Sequence, residues 1–285
     1  MWKRYLVGID GSDEARTALK CAIDMAKRFS GTITALNIVD QAKVTQSMMS
    51  PGVPYAPIDI KPLSFYAELQ EKLTAMGQAA LKDAAEIAAK EKVGFNQGQT
   101  MGLPGDILTH AAKSHDCLFI GKRGFSDDKK ALGKEVLHVA KHCPRPVLVA
   151  DEAFHPIEKV LIAYDGSPEA AHALRVAVEL GGKGCTESGG KGGYEFHLVT
   201  VSEPQRTGET TIEEAREYLT PHGVKVEYHL MSGDPSEQVL FAAAKYGCSM
   251  VLMGAFGHRT FWERAFGSTS NKILRDCKLP ILLAK

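Results

Sequence analysis

Short apolar runs alternate with amphipathic stretches from one end of this chain to the other. In the first half the runs at residues 4–10, 32–39, 94–100, 117–121 and 146–150 read as strands. The stretches between them carry helical spacing, clearest over residues 64–91, where Leu69, Leu73, Met76, Ala80, Ala84 and Ile87 recur three or four positions apart. That apolar stripe suits a helix covering a sheet. Strand and helix in alternation predict βαβ units and a parallel sheet. Ser12 and Ser167 stand where helix N-caps belong, with Pro168 at a first helical position and Asp13, Glu14 and Glu169 in the first turns.

The pattern then repeats. The strand ending in Asp10-Gly11-Ser12 reappears as the strand ending in Asp165-Gly166-Ser167, 155 residues on. Gly121-Lys122-Arg123-Gly124 returns as Gly254-Ala255-Phe256-Gly257 at an offset of 133, and the closing segment at 143–150 returns at 277–284. Three anchors in one order identify a duplication, with the longer middle in the first half. We expect domains at 1–151 and 158–285, joined by a polar linker that carries Pro156.

Composition narrows the function by exclusion. The 285 residues suffice for two domains, each with its own core. Lys plus Arg and Asp plus Glu both number 34, so no overall field favours nucleic acid or an anionic membrane. No run of about 18 apolar residues suggests a membrane span, and the opening turns polar too soon for a signal peptide. A cytoplasmic location is expected, in keeping with six scattered cysteines and no C-x-x-C pair.

The sharpest chemical signal follows the apolar run at 250–253. Gly254 and Gly257 form G-x-x-G, nine residues intervene, and Gly267-Ser268-Thr269 precedes a predicted helix. Glycine permits tight turns and close backbone approach, and the unpaired N–H groups of a helix start attract anions. Strand, glycine loop and helix start together describe a phosphate site. On these residues the chain resembles a tandem universal stress protein, over nearly all of both halves. The Asp-Gly-Ser strand ends, the turns at Gly102-Leu103-Pro104 and Gly233-Asp234-Pro235, and the closing Pro-x-x-x-Ala strands fit that family, and G-x-x-G, nine residues, G-[ST] is its ATP signature.

The resemblance implies an α/β fold of two doubly wound domains, each a five-stranded parallel sheet in the order 3-2-1-4-5 flanked by helices. Ligand belongs at the carboxyl ends of strands 1 and 4, the usual crevice of an open α/β sheet. Carried over by position, Ala163 and Asp165 lie beside ribose and adenine, and Val201 meets adenine through its backbone. Met253 and Gly254 close the strand 4 side, and Gly257, His258, Gly267, Ser268 and Thr269 surround the phosphates. The implied cofactor is ATP, with or without Mg²⁺, ADP and AMP remaining open. The implied partners are this nucleotide and, through the last strands, one half for the other; further homodimerisation is left open.

The first half departs from the signature. Gly133 comes after eight residues, one short, and Lys134-Glu135 replaces Ser-Thr. A shorter loop is expected to move the helix start, and an acid in that first turn opposes phosphate by roughly 0.3–1 kcal/mol. Lys122, Arg123, Lys129, Lys130 and Lys134 outnumber Asp127, Asp128 and Glu135 there, so charge alone leaves phosphate binding open. We expect weak or no ATP binding in this half.

Other features have plainer readings. His138 and His142 share a helix face without an identifiable third metal ligand, which favours a solvated helix end. Cys143 and Cys277 read as small buried residues, Asp10 and Asp165 also suit turns, and Ser268 and Thr269 also suit caps. The glycine-rich stretch at 181–193 lacks a Walker A pattern and reads as a surface turn, and 41–62 as a long loop, lid or partner surface. Near the expected phosphates only His258, Arg259 and Ser268 could activate water, so no catalytic residue is assigned. The functional expectation is a stress-response regulatory protein that binds adenine nucleotide mainly in its second half. Slow ATP hydrolysis, or an interaction protein with a vestigial site, is the alternative.

Overall fold

The computed structural model describes residues 2–42, 63–124, 132–151, 153–181, 193–255 and 268–285. The first half runs β1 (Arg4–Gly8), α1 (Asp13–Phe29), β2 (Thr32–Asp40), α2 (Leu63–Lys90), β3 (Gly94–Gly102), α3 (Pro104–Ala112), β4 (Cys117–Gly121), α4 (Lys134–His142) and β5 (Val147–Ala150). The second half repeats it as β6 (Lys159–Ala163), α5 (Pro168–Gly181), β7 (Glu195–Val201), α6 (Gln205–Leu219), β8 (Val226–Met231), α7 (Pro235–Lys245), β9 (Met250–Gly254), α8 (Ser268–Asp276) and β10 (Ile281–Ala284).

Among the described residues these strands form one sheet, in the order β3-β2-β1-β4-β5-β10-β9-β6-β7-β8. Each half has the expected 3-2-1-4-5 order with parallel neighbours. The halves meet where β5 and β10 pair antiparallel, with Val147, Leu148 and Val149 opposite Leu283, Leu282 and Ile281. All six side chains are buried. Fully burying an aliphatic side chain contributes about 1.5–3 kcal/mol, so this seam joins the two cores into a single hydrophobic structure.

Side chains alternate across the sheet and feed two apolar layers. Tyr5, Val7, Phe119, Leu148, Val160, Phe196 and Leu282 pack with α1, α2, α5 and α6 on one face. Leu6, Leu118, Val149, Leu161, Val199, Val251 and Leu283 pack with α3, α4, α7 and α8 on the other. Trp2 Nε1 also crosses between the halves, donating to Glu179 Oε2 at 2.6 Å.

The local signals act as anticipated. The Ser12 hydroxyl accepts from Ala15 N at 3.1 Å and the Ser167 hydroxyl from Ala170 N at 3.1 Å, capping α1 and α5. Gly11 and Gly166 take φ of 87° and 78°, left-handed values that explain the glycine between aspartate and serine in both copies. Asp234 caps α7, its Oδ1 accepting from Glu237 N at 2.9 Å. Cys143 and Cys277 are free and buried.

Candidate functional site

The crevice of the second half is built by strand ends that the parallel register brings level. Ala163 closes β6 opposite Met253 of β9, and on its other side pairs with Val199 of β7. Val201, two residues further along β7, therefore stands at the same end of the sheet, where it pairs with Met231. The chain leaves β6 through Asp165, whose Oδ1 accepts from Ser167 N at 3.0 Å. Asp165 thus makes the turn contact that its sequence position also suggested. Ser268 and Thr269 open α8, whose first N–H groups lack helical partners. Ala163, Asp165, Val201, Met253, Gly254, Ser268 and Thr269 lie among the described residues; Gly257, His258 and Gly267 lie outside them.

Gly254 has a reason of its own. A methyl group there would lie 2.3 Å from the Glu169 carbonyl oxygen, because the first turn of α5 passes directly over the end of β9. Gly121 occupies the same place in the first half, where a methyl would lie 2.8 Å from Ala15 N. Both glycines allow strand 4 to approach the helix that follows strand 1, independently of any ligand.

The first half has a cleft at the corresponding place, lined by Gly8, Asp10, Ile38, Asp40, Gly121 and Lys134 among others, with about 720 Å³ of space that includes open solvent. Arg123 also lines this cleft, and it and its neighbour Lys122 are held in ion pairs. Lys122 Nζ donates to Asp151 Oδ2 at 3.1 Å and to the Cys277 carbonyl, across the seam, at 2.8 Å. Arg123 spans Glu14 and Asp151, with Nε to Glu14 Oε1 at 2.9 Å and an Nη2 to Asp151 Oδ1 contact of 2.7 Å. The Lys122, Arg123 and Asp151 side chains are only 3%, 9% and 4% exposed. Burial pushes Lys122 below the usual lysine value while Asp151 pulls it back up. Both cations are neutralised by buried carboxylates, so the net positive charge of the loop's composition overstates what they offer a phosphate.

Lys134 opens α4 and reaches Asp40, at the end of β2, at 3.3 Å, with Glu135 at 3.5 Å. This pair spans the cleft between the helix start and the strand 2 edge. The helix start itself has not slipped along the chain. Lys134 and Ser268 are matched by the same offset as the closing strands, and both helices run nine residues, so the one-residue deficit falls in the preceding loop. His138 and His142 occupy a helix end as anticipated, and Asp106, absent from the sequence reading, lies 3.0 Å from His138 Nε2.

Comparison with known proteins agrees with this architecture. The sequence pattern of the universal stress protein family matches residues 1–151 and again residues 156–285. Universal stress protein Slr1230 of Synechocystis is 27% identical over 292 aligned positions, covering 98% of this chain and 99% of its own. Universal stress protein YxiE of Bacillus subtilis is 32% identical over 152 positions, 52% of this chain and 99% of its own, and so matches about one half. A solved universal stress protein from Archaeoglobus fulgidus shares the fold, with a TM-score of 0.70, 22% identity and coverage of 99% and 98%. No helix among the described residues is long and apolar enough to cross a membrane. The chain belongs to the universal stress protein family, a family of stress-response proteins, and carries its pattern twice.

Proposed function

We propose, with that membership as premise, that this chain is a regulatory stress-response protein that binds ATP or a related adenine nucleotide in the crevice of its second half. The observation that carries the reading is the contrast at the two helix starts. In the first half Lys134 closes on Asp40 across the cleft. In the second half the equivalent helix opens with Ser268-Thr269 after the complete G-x-x-G, nine residues, G-S-T spacing.

The described residues suit a nucleotide. Apolar strand ends at Ala163, Val201 and Met253 offer a wall for a base, Asp165 offers a carboxylate beside a sugar, and a helix N-terminus offers N–H donors to phosphate. Gly257, His258, Gly267, Ser268 and Thr269 would hold the phosphates, and the protein's part is to bind and orient the nucleotide. Calorimetric titration with ATP, ADP and AMP, with and without Mg²⁺, tests the reading. Saturable binding of at least one of the three is expected, and no heat with any of them would overturn it.

A further inference from the structure

We propose that His197, Glu227 and His229 form a binding site for a zinc-class divalent cation, on the outer part of the second half's sheet and separate from the nucleotide crevice. The parallel register of β7 and β8 sets His197 opposite Glu227 and Val199 opposite His229. With a period of two, all three side chains point to the α7 face. His197 Nδ1 lies 3.1 Å from His229 Nε2 and 3.5 Å from Glu227 Oε2. One ligand atom from each residue falls within 4.8 Å of the other two, and among the described residues this is the one such group of three. Zn–N bonds of about 2.0–2.1 Å at tetrahedral angles require ligand atoms roughly 3.4 Å apart, so the two observed separations bracket the requirement.

The site is held in place. His229 stacks on Tyr246, just past α7, with ring centres 3.8 Å apart and 13° between planes, and His197 lies near parallel to both rings. His197 is buried while the Glu227 side chain is 74% exposed, so the ligands are set on a packed floor with one side open to water. Three protein ligands and one open position form the arrangement of an accessible zinc site. Two imidazoles and one carboxylate favour zinc and its neighbours over Ca²⁺ or Mg²⁺, which require mostly oxygen. The surrounding cations are accounted for. Lys159 is paired with Glu195 at 2.9 Å, and the Lys245 ammonium sits 5.2 Å above the Tyr246 ring centre.

Two comparisons set the site apart. His197 precedes Val201 by four residues, which places it roughly 13 Å along the strand from the crevice. By the register of the first half, the equivalent positions are Thr34, Asn96 and Gly98, which offer no such ligands.

The test uses the full chain after treatment with a chelator. Zn²⁺ is added in a calorimeter, and Co²⁺ is added in parallel to read the visible absorption of a tetrahedral nitrogen and oxygen site. Wild type is expected to take up one ion. Glu227→Gln and His229→Gln are expected to weaken uptake at least roughly tenfold, the low end for losing even an outer-shell partner. His138→Gln/His142→Gln is expected to bind as wild type. Glu227→Gln is exposed and nearly isosteric, so it keeps the test decisive if circular dichroism shows that His229→Gln fails to fold. Absence of stoichiometric uptake, equal uptake by Glu227→Gln, or loss of uptake in the His138/His142 variant would each overturn the proposal.

Discussion

The two halves share a sheet order, a closing strand and a glycine at the end of strand 4, yet the residues after that glycine differ in kind. In the first half, Lys122 and Arg123 turn inward to Asp151 and Glu14. In the second, the corresponding positions are Ala255 and Phe256, and the position of Asp151 is taken by Lys285, which donates to the Ala140 and Lys141 carbonyls across the seam. A duplicated fold thus keeps the backbone requirements in both copies. It commits these side chains to structure in the first copy, while the proposed nucleotide site uses the loop of the second.

The comparison breaks most sharply at Asp151. Asp151→Ala leaves two buried cations without their shared acceptor, and a loss of about 3–5 kcal/mol in denaturant unfolding is expected. Lys285→Ala, at the matched position, removes the donor to the Ala140 carbonyl and is expected to cost about 1–3 kcal/mol. If the order of these two losses were reversed, the first half's network would not be the structural element described.

What the copies share is tested by Gly121→Val and Gly254→Val. Both force atoms into a helix first turn, and each is expected to lose about 1–3 kcal/mol in the same assay. A large loss in only one would mean that the close approach is not common to both. For the ligand, Gly267→Val is expected to raise the dissociation constant for ATP at least about tenfold, or 1.4 kcal/mol, while Gly133→Val leaves it unchanged. The smallest effect is expected at Lys134, which is 60% exposed. Lys134→Ser removes a surface pair and should change stability by less than about 1 kcal/mol. It should not create ATP binding in the first half, because Lys122 and Arg123 stay held in their ion pairs and the loop stays one residue short.

The fold was legible because its determinants are local or repeated. Apolar runs marked the strands to within two residues, the stripe from Leu69 to Ile87 marked α2, and Ser12 and Ser167 marked the helix starts. The strand order and the pairing of last strands followed from the family resemblance. What stayed hidden depends on partners distant in sequence. Lys122 and Arg123 read as loop charge because Glu14 and Asp151 are far away along the chain, and a sum of charges does not say which are buried. His197 and the Glu227/His229 pair lie some thirty residues apart and meet only through the β7–β8 register. Of the residues proposed to hold nucleotide, Gly257, His258 and Gly267 fall outside the described segments and were read from spacing and family pattern.

The central claim is that one half binds nucleotide and the other has given up that use. Native mass spectrometry of the full chain under saturating ATP reads this directly as bound mass per chain. One nucleotide per chain, lost in Gly267→Val and retained in Gly133→Val, is the predicted result. Two nucleotides bound with equal affinity, or a single one that Gly133→Val removes, would contradict it.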